Sequence, residues 1–320
     1  KESLYYHKMK ERKPINFLGK KKVFFSISIA MILAGFVVMG VHSAQGNGAL
    51  AYSLDFKGGT SMNVKFDKDY SIDEIDKEIV PVVEKVTGDY NIQTQKVSGT
   101  KQVVIKTVTL SLSEREKVNK ALEDNFGVKE SDITAENISS TISNEMRQDA
   151  VIAVIVATIF MLLYIWFRFK DVRFATSAVL ALLHDVLVVL AFYAVSRISV
   201  GGTFIACMLT IVGYSINATI VIFDRIREEL PLMKRNTDLS ELVNKCITQT
   251  LTRSIYTSLT TFIMVAVLFI MGVSSIREFA APLMVGIVCG GYSSVCVTGA
   301  LWYVMKTKVG KKAQPKKKKK

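Results

Sequence analysis

One apolar stretch, Val23 to Val41, is followed by about a hundred mostly polar residues and then by five more apolar stretches that crowd the rest of the chain. A bilayer core of about 30 Å is crossed by about 20 apolar helical residues. Val23–Val41, Ala150–Trp166, Phe174–Val195, Thr203–Phe223, Ile255–Met271 and Phe279–Val304 all run to roughly that length. This layout predicts a polytopic α-helical membrane protein with six transmembrane helices and one aqueous domain between the first two. The expected divisions are a tail over 1–22, helix 1 over 23–42, the aqueous domain over 43–145, helices 2–6 over 146–305 with a loop at about 224–252, and a basic tail over 306–320.

Half of the residues are hydrophobic, yet 22% are charged, and the charges lie almost entirely outside the six stretches. Lys20, Lys21 and Lys22 precede the first stretch, as they would in a signal peptide. The run is too long for that, and Gly40, His42 and Gln45 offer no clear small-x-small cleavage site, so an uncleaved anchor is expected. Short loops rich in Lys and Arg stay cytoplasmic. Lys8, Lys10, Arg12 and Lys13 before the first stretch, Arg168, Lys170 and Arg173 after the second, and Arg225, Arg227, Lys234, Arg235, Lys245 and Arg253 after the fourth therefore fall on one side. Both termini are expected in the cytoplasm and residues 43–145 on the exported side of a cell membrane.

The net charge of +13 does not mark a nucleic-acid binder, because residues 43–145 carry 12 basic and 17 acidic residues. The basic excess suits topology and anionic lipid headgroups at the tails, or docking to another acidic partner. The tail Lys311–Lys320, with Pro315, is low in complexity and expected to be disordered. None of Cys207, Cys246, Cys289 and Cys296 falls in the exported segment, so its fold does not depend on disulfides. The cysteines within the spans are most simply small packing residues.

The exported segment alternates strands and helices. Ser61–Phe66, Tyr90–Val97, Gln102–Leu110 and Ile133–Ile142 read as strands, with Ser98-Gly99-Thr100 between the second and third. Ser71–Val86 has helical spacing, and Ser113 with Glu116 forms a capping-box pair opening a second helix, Glu114–Asn125, that Gly127 stops. The order β-α-β-β-α-β points to a ferredoxin-like α+β domain. At its start, Leu54-Asp55-Phe56-Lys57-Gly58-Gly59-Thr60 places two glycines where backbone freedom serves a tight turn. No helix follows them to make a phosphate cradle. Neither a nucleotide-binding loop, nor metal-ligand spacing, nor a nucleophile triad is present, so no enzyme, metal or cofactor is expected.

Charged and polar residues inside spans are costly and mark functional sites. His184-Asp185 sits at the middle of span three. Thr210, Asn217 and Asp224 recur at intervals of seven on span four, and Arg253, Thr257, Thr260 and Thr261 follow helical spacing on span five. Turned inward, these faces would gather Asp185, Asn217 and Arg253, with hydroxyls such as Thr219 and Thr257, into a midplane proton or ion relay. A structural hydrogen-bonded seam, with Asp185 bonded to a hydroxyl or an Arg, would use the same residues. Asp224, Arg225 and Arg227 close span four on the cytoplasmic side, after which Leu239–Thr250 could lie along the interface.

The run Ile211-Val212-Gly213-Tyr214-Ser215-Ile216-Asn217-Ala218-Thr219-Ile220-Val221-Ile222-Phe223-Asp224-Arg225-Ile226-Arg227-Glu228 resembles the signature of the SecF family, the smaller half of the SecDF protein-export complex. Asp55–Thr60, His184-Asp185 and Thr252-Arg253-Ser254 followed by Thr257-Ser258-Leu259-Thr260-Thr261 extend the likeness across all six spans in order.

The resemblance implies half of a pseudosymmetric twelve-span unit of the resistance-nodulation-division superfamily, with SecD as the other half. It implies action beside the SecYEG channel, where the proton motive force assists preprotein export and membrane-protein insertion. By the same analogy the exported domain contacts the emerging chain or SecD. One departure stands out: the family often has Asn-Asp-Thr in span four, and this chain has Asn217-Ala218-Thr219. The proton then passes through the partner's carboxylate, the preferred reading, or through Asp185, or coupling is weak or uses another cation. Half of a small-molecule or lipid exporter and a passive translocon scaffold are the alternative functions.

Overall fold

The computed structural model describes residues 13–45, 48–90, 92–97, 99–169, 171–233, 238–272 and 274–309. The ends of both basic tails, including Lys8, Lys10, Arg12 and Lys311–Lys320, together with Lys170, Lys234, Arg235 and Ser98, lie outside the described residues. Six long helices dominate: α1 (Lys21–Ala44), then beyond the α/β domain α5 (Ser140–Phe169), α6 (Val172–Ser196), α7 (Gly202–Glu229), α8 (Leu239–Met271) and α9 (residues 274–309). Each is long and apolar enough to cross a membrane.

Burial separates their roles. α6 and α9 form the centre of the bundle, whereas α1 and α5 expose apolar side chains such as Ile29, Leu33, Ile155 and Phe160 around most of their circumference. Hydrocarbon solvates such surfaces at no cost, so exposure here is the mark of a lipid-facing helix. α1 nonetheless holds α6 closely, because Gly35 lies directly against the Ala191 side chain and a Cβ at Gly35 would overlap it.

The segment Leu239–Thr250 is not a separate surface helix. It is the first half of α8, which runs unbroken to Met271. Leu242, Val243, Cys246 and Ile247 are buried in one cluster with Ile222, Phe223 and Trp302, so packing draws this stretch into the bundle. The residues before α1 fasten it further: Ile15 N–H donates to Thr248 Oγ1 (2.9 Å) and Leu18 N–H to Asn244 Oδ1 (3.0 Å). α9 contains a wide, π-helical turn over Ser293–Thr298, a local unwinding that takes in one extra residue and turns side chains to new directions.

Between α1 and α5 a short helix α2 (Leu54–Lys57) leads into β1 (Gly59–Lys65), α3 (residues 72–87), β2 (Gln93–Lys96), β3 (Gln102–Thr107), α4 (Leu112–Phe126) and β4 (Ile133–Ile138). The strands form one antiparallel sheet in the order β2-β3-β1-β4. Met62, Val64, Val103 and Ile105 alternate onto one face and bury against Ile75, Ile79, Val83, Val118 and Leu122 of the helices. Two details correct the expectations from sequence. The cap of α4 is Ser111 with Glu114, two residues before Ser113, because Ser111 takes the extended backbone and exchanges hydrogen bonds with Glu114. The last strand stops at Ile138, and the chain turns into α5 at Ser140 instead of continuing extended to Ile142.

The junction between domain and bundle is stitched by main-chain bonds. Ser53 N–H donates to Val200 O (3.0 Å) and Val200 N–H to Ala51 O (2.7 Å), an isolated parallel bridge between the residues leading into α2 and the α6–α7 connection. Phe56 inserts among Tyr193, Val200, Cys207 and Met208 at that end of the bundle. Ser143 Oγ of α5 donates to Leu54 O (3.3 Å). The chain enters and leaves the domain through one clamped point.

Gly59 stands there at φ 136°, where a side chain would overlap Thr107 O and come within 2.7 Å of Leu54. Gly59→Val is expected to destabilise the domain by about 1–3 kcal/mol or more, read as a lowered midpoint in thermally induced proteolysis, while Gly40→Ala, with open space beside it, leaves the midpoint unchanged. Glu74 caps α3 through Ser71, and its carboxyl is held at about 2 chiefly by the hydrogen bond from Lys68, with Ser71 adding to it. A depressed carboxyl stabilises the fold above its unfolded value of 4.5 and stops doing so as pH falls toward 2. The midpoint difference between wild type and Glu74→Gln should therefore be constant above about pH 4.5 and vanish near pH 2.

Candidate functional site: a buried carboxylate in the bundle

Asp185, fourteenth of the 25 residues of α6, has no exposed surface. An ionised carboxylate at that depth needs its lone pairs filled. Four donors do so. His184 Nδ1 lies 2.9 Å and Cys289 Sγ 3.3 Å from Oδ1, while Ser215 Oγ lies 2.5 Å and Ser293 Oγ 2.8 Å from Oδ2. With Asp185 ionised, the neighbouring imidazole donates from Nδ1. Its other nitrogen, Nε2, is buried and without a hydrogen-bond partner among the described residues.

Local sequence explains the convergence. Ser293 opens the wide turn of α9, which carries it onto the carboxylate that Cys289 reaches from one turn earlier. Gly290, between them, lets α7 approach so closely that a Cβ there would stand 3.2 Å from that of Ser215. Tyr292 bridges outward, donating to Phe24 O of α1 (2.8 Å) with Ser28 Oγ at 3.3 Å. A groove of about 640 Å³ between α1, α6, α8 and α9 is lined by apolar side chains together with Cys289 and Tyr292. His184, Asp185 and Cys289 bring metal-binding atoms within 4.8 Å of one another; as they stand, all three are engaged in hydrogen bonds centred on the carboxylate.

The other residues singled out from sequence do not join this cluster. Asn217 and Thr210 lie on an exposed face of α7 with Gly213, and Arg253, Thr257 and Thr260 on an exposed face of α8. These faces turn outward instead of into the bundle. Thr257 spends its hydroxyl on the carbonyls of Arg253 and Ser254. Thr219 is buried on α7 but is not among the donors to Asp185. The two outward faces are neighbours, joined by Tyr214 OH donating to Ser258 Oγ (2.7 Å), and one turn along from that bond Asn217 and Arg253 reach similar levels. Arg253 has no ion-pair partner among the described residues.

At the opposite end from the α/β domain, Asp224 pairs with Arg168 (2.8 Å) and Arg227 (3.4 Å), and Arg225 with Glu229 (2.6 Å) and Gln249 (2.7 Å). This network ties α5, α7 and α8 together. At the start of the domain, Thr60 Oγ1 donates to Asn137 Oδ1 (2.6 Å) and accepts from Leu110 N–H (2.8 Å), locking β1 to β4 and to the β3–α4 loop. Gly58 and Gly59 both adopt positive φ in the turn that delivers Thr60. Sequence reasoning missed Ser215, Cys289 and Ser293. The signal was there in Cys289 and Ser293 four apart, on one helical face, with Gly290 between them.

Removing one donor leaves the carboxylate short of a hydrogen bond to a charged group, worth about 1.5–3 kcal/mol. Ser215→Ala and Ser293→Ala are each expected to lower the thermal midpoint of the detergent-solubilised protein accordingly, while Asn217→Ala, on the exposed face, leaves it in place.

Residues 117–308 match the family described as protein export membrane protein SecD/SecF, C-terminal. The chain is 36% identical to the protein translocase subunit SecF of Petrotoga mobilis, over 90% of this chain and 94% of that one. It is 34% identical to the protein translocase subunit SecDF of Bacillus subtilis, over 93% of this chain but only 39% of that longer protein. The crystal structure of SecDF from Thermus thermophilus superposes with a TM-score of 0.75 at 33% identity, covering 92% of this chain and 39% of that one.

Proposed function

Starting from a chain that belongs to the SecF family of protein translocase subunits and takes part in protein translocation, we propose that it is the SecF half of a SecD–SecF unit that uses the proton motive force to assist SecYEG-dependent export. The observation that carries this reading is the polar face left uncovered on α7 and α8. Thr210, Asn217 and Arg253 would stand in hydrocarbon if the chain worked alone, and a cation there is costly. A second six-helix half would cover them. The length of the SecDF relatives, of which this chain spans 39%, leaves room for such a half. Small residues at Ala206, Thr210 and Gly213 allow close helix approach across that surface.

Two polar sites then divide the work. Arg253 and Asn217 meet a carboxylate supplied by SecD, taking the place of the acid that Ala218 does not provide. Asp185, enclosed by its own donors, holds α6, α7 and α9 in register and responds to charge changes at the interface. Because the connection that follows α6 carries Val200 and its bridge to Ala51 and Ser53, a tilt of α6 moves the domain's clamped base. The domain, ferredoxin-like in its strand order, lies on the exported side, and the basic tails lie in the cytoplasm, where they meet anionic headgroups.

The test is preprotein export into vesicles holding SecYEG, SecD and this protein, with and without a proton gradient. Stimulation should require the gradient, vanish when the carboxylate of SecD is removed, and persist in part with Asp185→Asn. Complete loss with Asp185→Asn alone would move the relay into this subunit, and stimulation indifferent to the gradient would make the chain a scaffold.

A further inference from the structure

β2 is an edge strand, and its free edge faces a gap rather than open solvent. Val97 N–H donates to Gln102 O, so in an antiparallel ladder the paired residues Gln95 and Gln93 also bond inward to β3. Thr94 then turns its main-chain N–H and C=O away from the sheet. Two adjoining clefts, of about 340 and 500 Å³, lie along this edge, and both are lined by Thr94, Gln95 and Glu278. The far wall belongs to the membrane bundle: Arg197 and Ser199 of the α6–α7 connection, and Arg277 and Glu278 at the start of α9. Ser199 Oγ donates to Glu278 (3.3 Å), joining those two stretches of wall.

We infer that the gap between the β2 edge and the outer ends of α6 and α9 receives an extended segment of the translocating polypeptide by strand addition. The inference rests on the translocation role stated above and names the surface that serves it. An extended chain of about four residues spans some 13 Å, the length of β2. Main-chain bonding at a sheet edge grips any sequence, which suits clients that share no motif. The walls carry both signs of charge, Asp76 and Glu278 against Lys106 and Arg197, so neither acidic nor basic segments are excluded. Ala51, whose carbonyl accepts from Val200 N–H, also lines the larger cleft. A segment bound there touches the same clamp through which α6 moves the domain.

The experiment places a photoreactive benzophenone residue at Gln95, and separately at Glu136 on β4 at the opposite edge of the sheet, in the full chain assembled with SecD and SecYEG and holding a stalled preprotein. Crosslinks to the preprotein are expected several-fold stronger from position 95 than from 136, and only while the preprotein is engaged. Thr94→Pro removes the outward N–H from an edge strand that tolerates proline and should cut the yield from position 95 several-fold. Equal yields from the two positions, crosslinks from 95 to SecD alone, or a yield indifferent to Thr94→Pro in a folded protein would overturn the inference while export stimulation stays intact. Absence of stimulation in the unsubstituted complex would instead overturn the translocation role on which the inference rests.

Discussion

A carboxylate at the middle of a lipid-spanning bundle constrains everything packed around it. A carboxylate buried at that depth needs hydrogen-bond donors from the protein around it. Serine hydroxyls from α7 and α9, a thiol from α9 and the adjacent imidazole supply them. They meet where α9 widens at Ser293 and where α7 approaches Gly290 so closely that a Cβ there would stand 3.2 Å from that of Ser215. These two local irregularities of the bundle thus accompany one buried carboxylate.

That arrangement leaves the subunit polar in two places with opposite character. Around Asp185 both carboxylate oxygens are engaged by donors from α6, α7 and α9. Along α7 and α8 the polar groups face outward, and Arg253 awaits a counter-charge that the described residues do not provide. In water such a face would be ordinary; across hydrocarbon it marks an unfinished interface. The clamp of Val200 on Ala51 and Ser53, with Phe56 seated among bundle residues, gives the α/β domain little freedom independent of α6. A tilt of α6 would therefore be passed to the base of the domain through this clamp.

The parts legible in the sequence were those fixed by length and period. Six apolar runs give six long helices, and the alternation over residues 59–138 gives the strand and helix order. Positions set by competition between neighbours were not legible. Ser111 and Ser113 both offer a cap with an acid three residues on, and backbone geometry chose the earlier pair. Leu239–Thr250 has the composition of a surface helix, yet burial of Val243, Cys246 and Ile247 made it the first half of α8. Asp185 announced itself because a mid-span acid is costly, but its partners did not, since serine and cysteine in a span look like packing residues. The seven-residue spacing of Thr210 and Asn217 correctly puts them on one face. Spacing cannot say whether that face meets the subunit's own core or another chain's.

The most direct test is a structure of this chain assembled with SecD in a lipid bilayer. The Thr210–Asn217 face of α7 and Arg253 of α8 should lie buried against SecD, with an acidic side chain of SecD within ion-pair distance of Arg253 and the four donors still gathered on Asp185. Finding Arg253 and Asn217 facing lipid in the assembled complex, or drawn inward onto Asp185, would contradict the account.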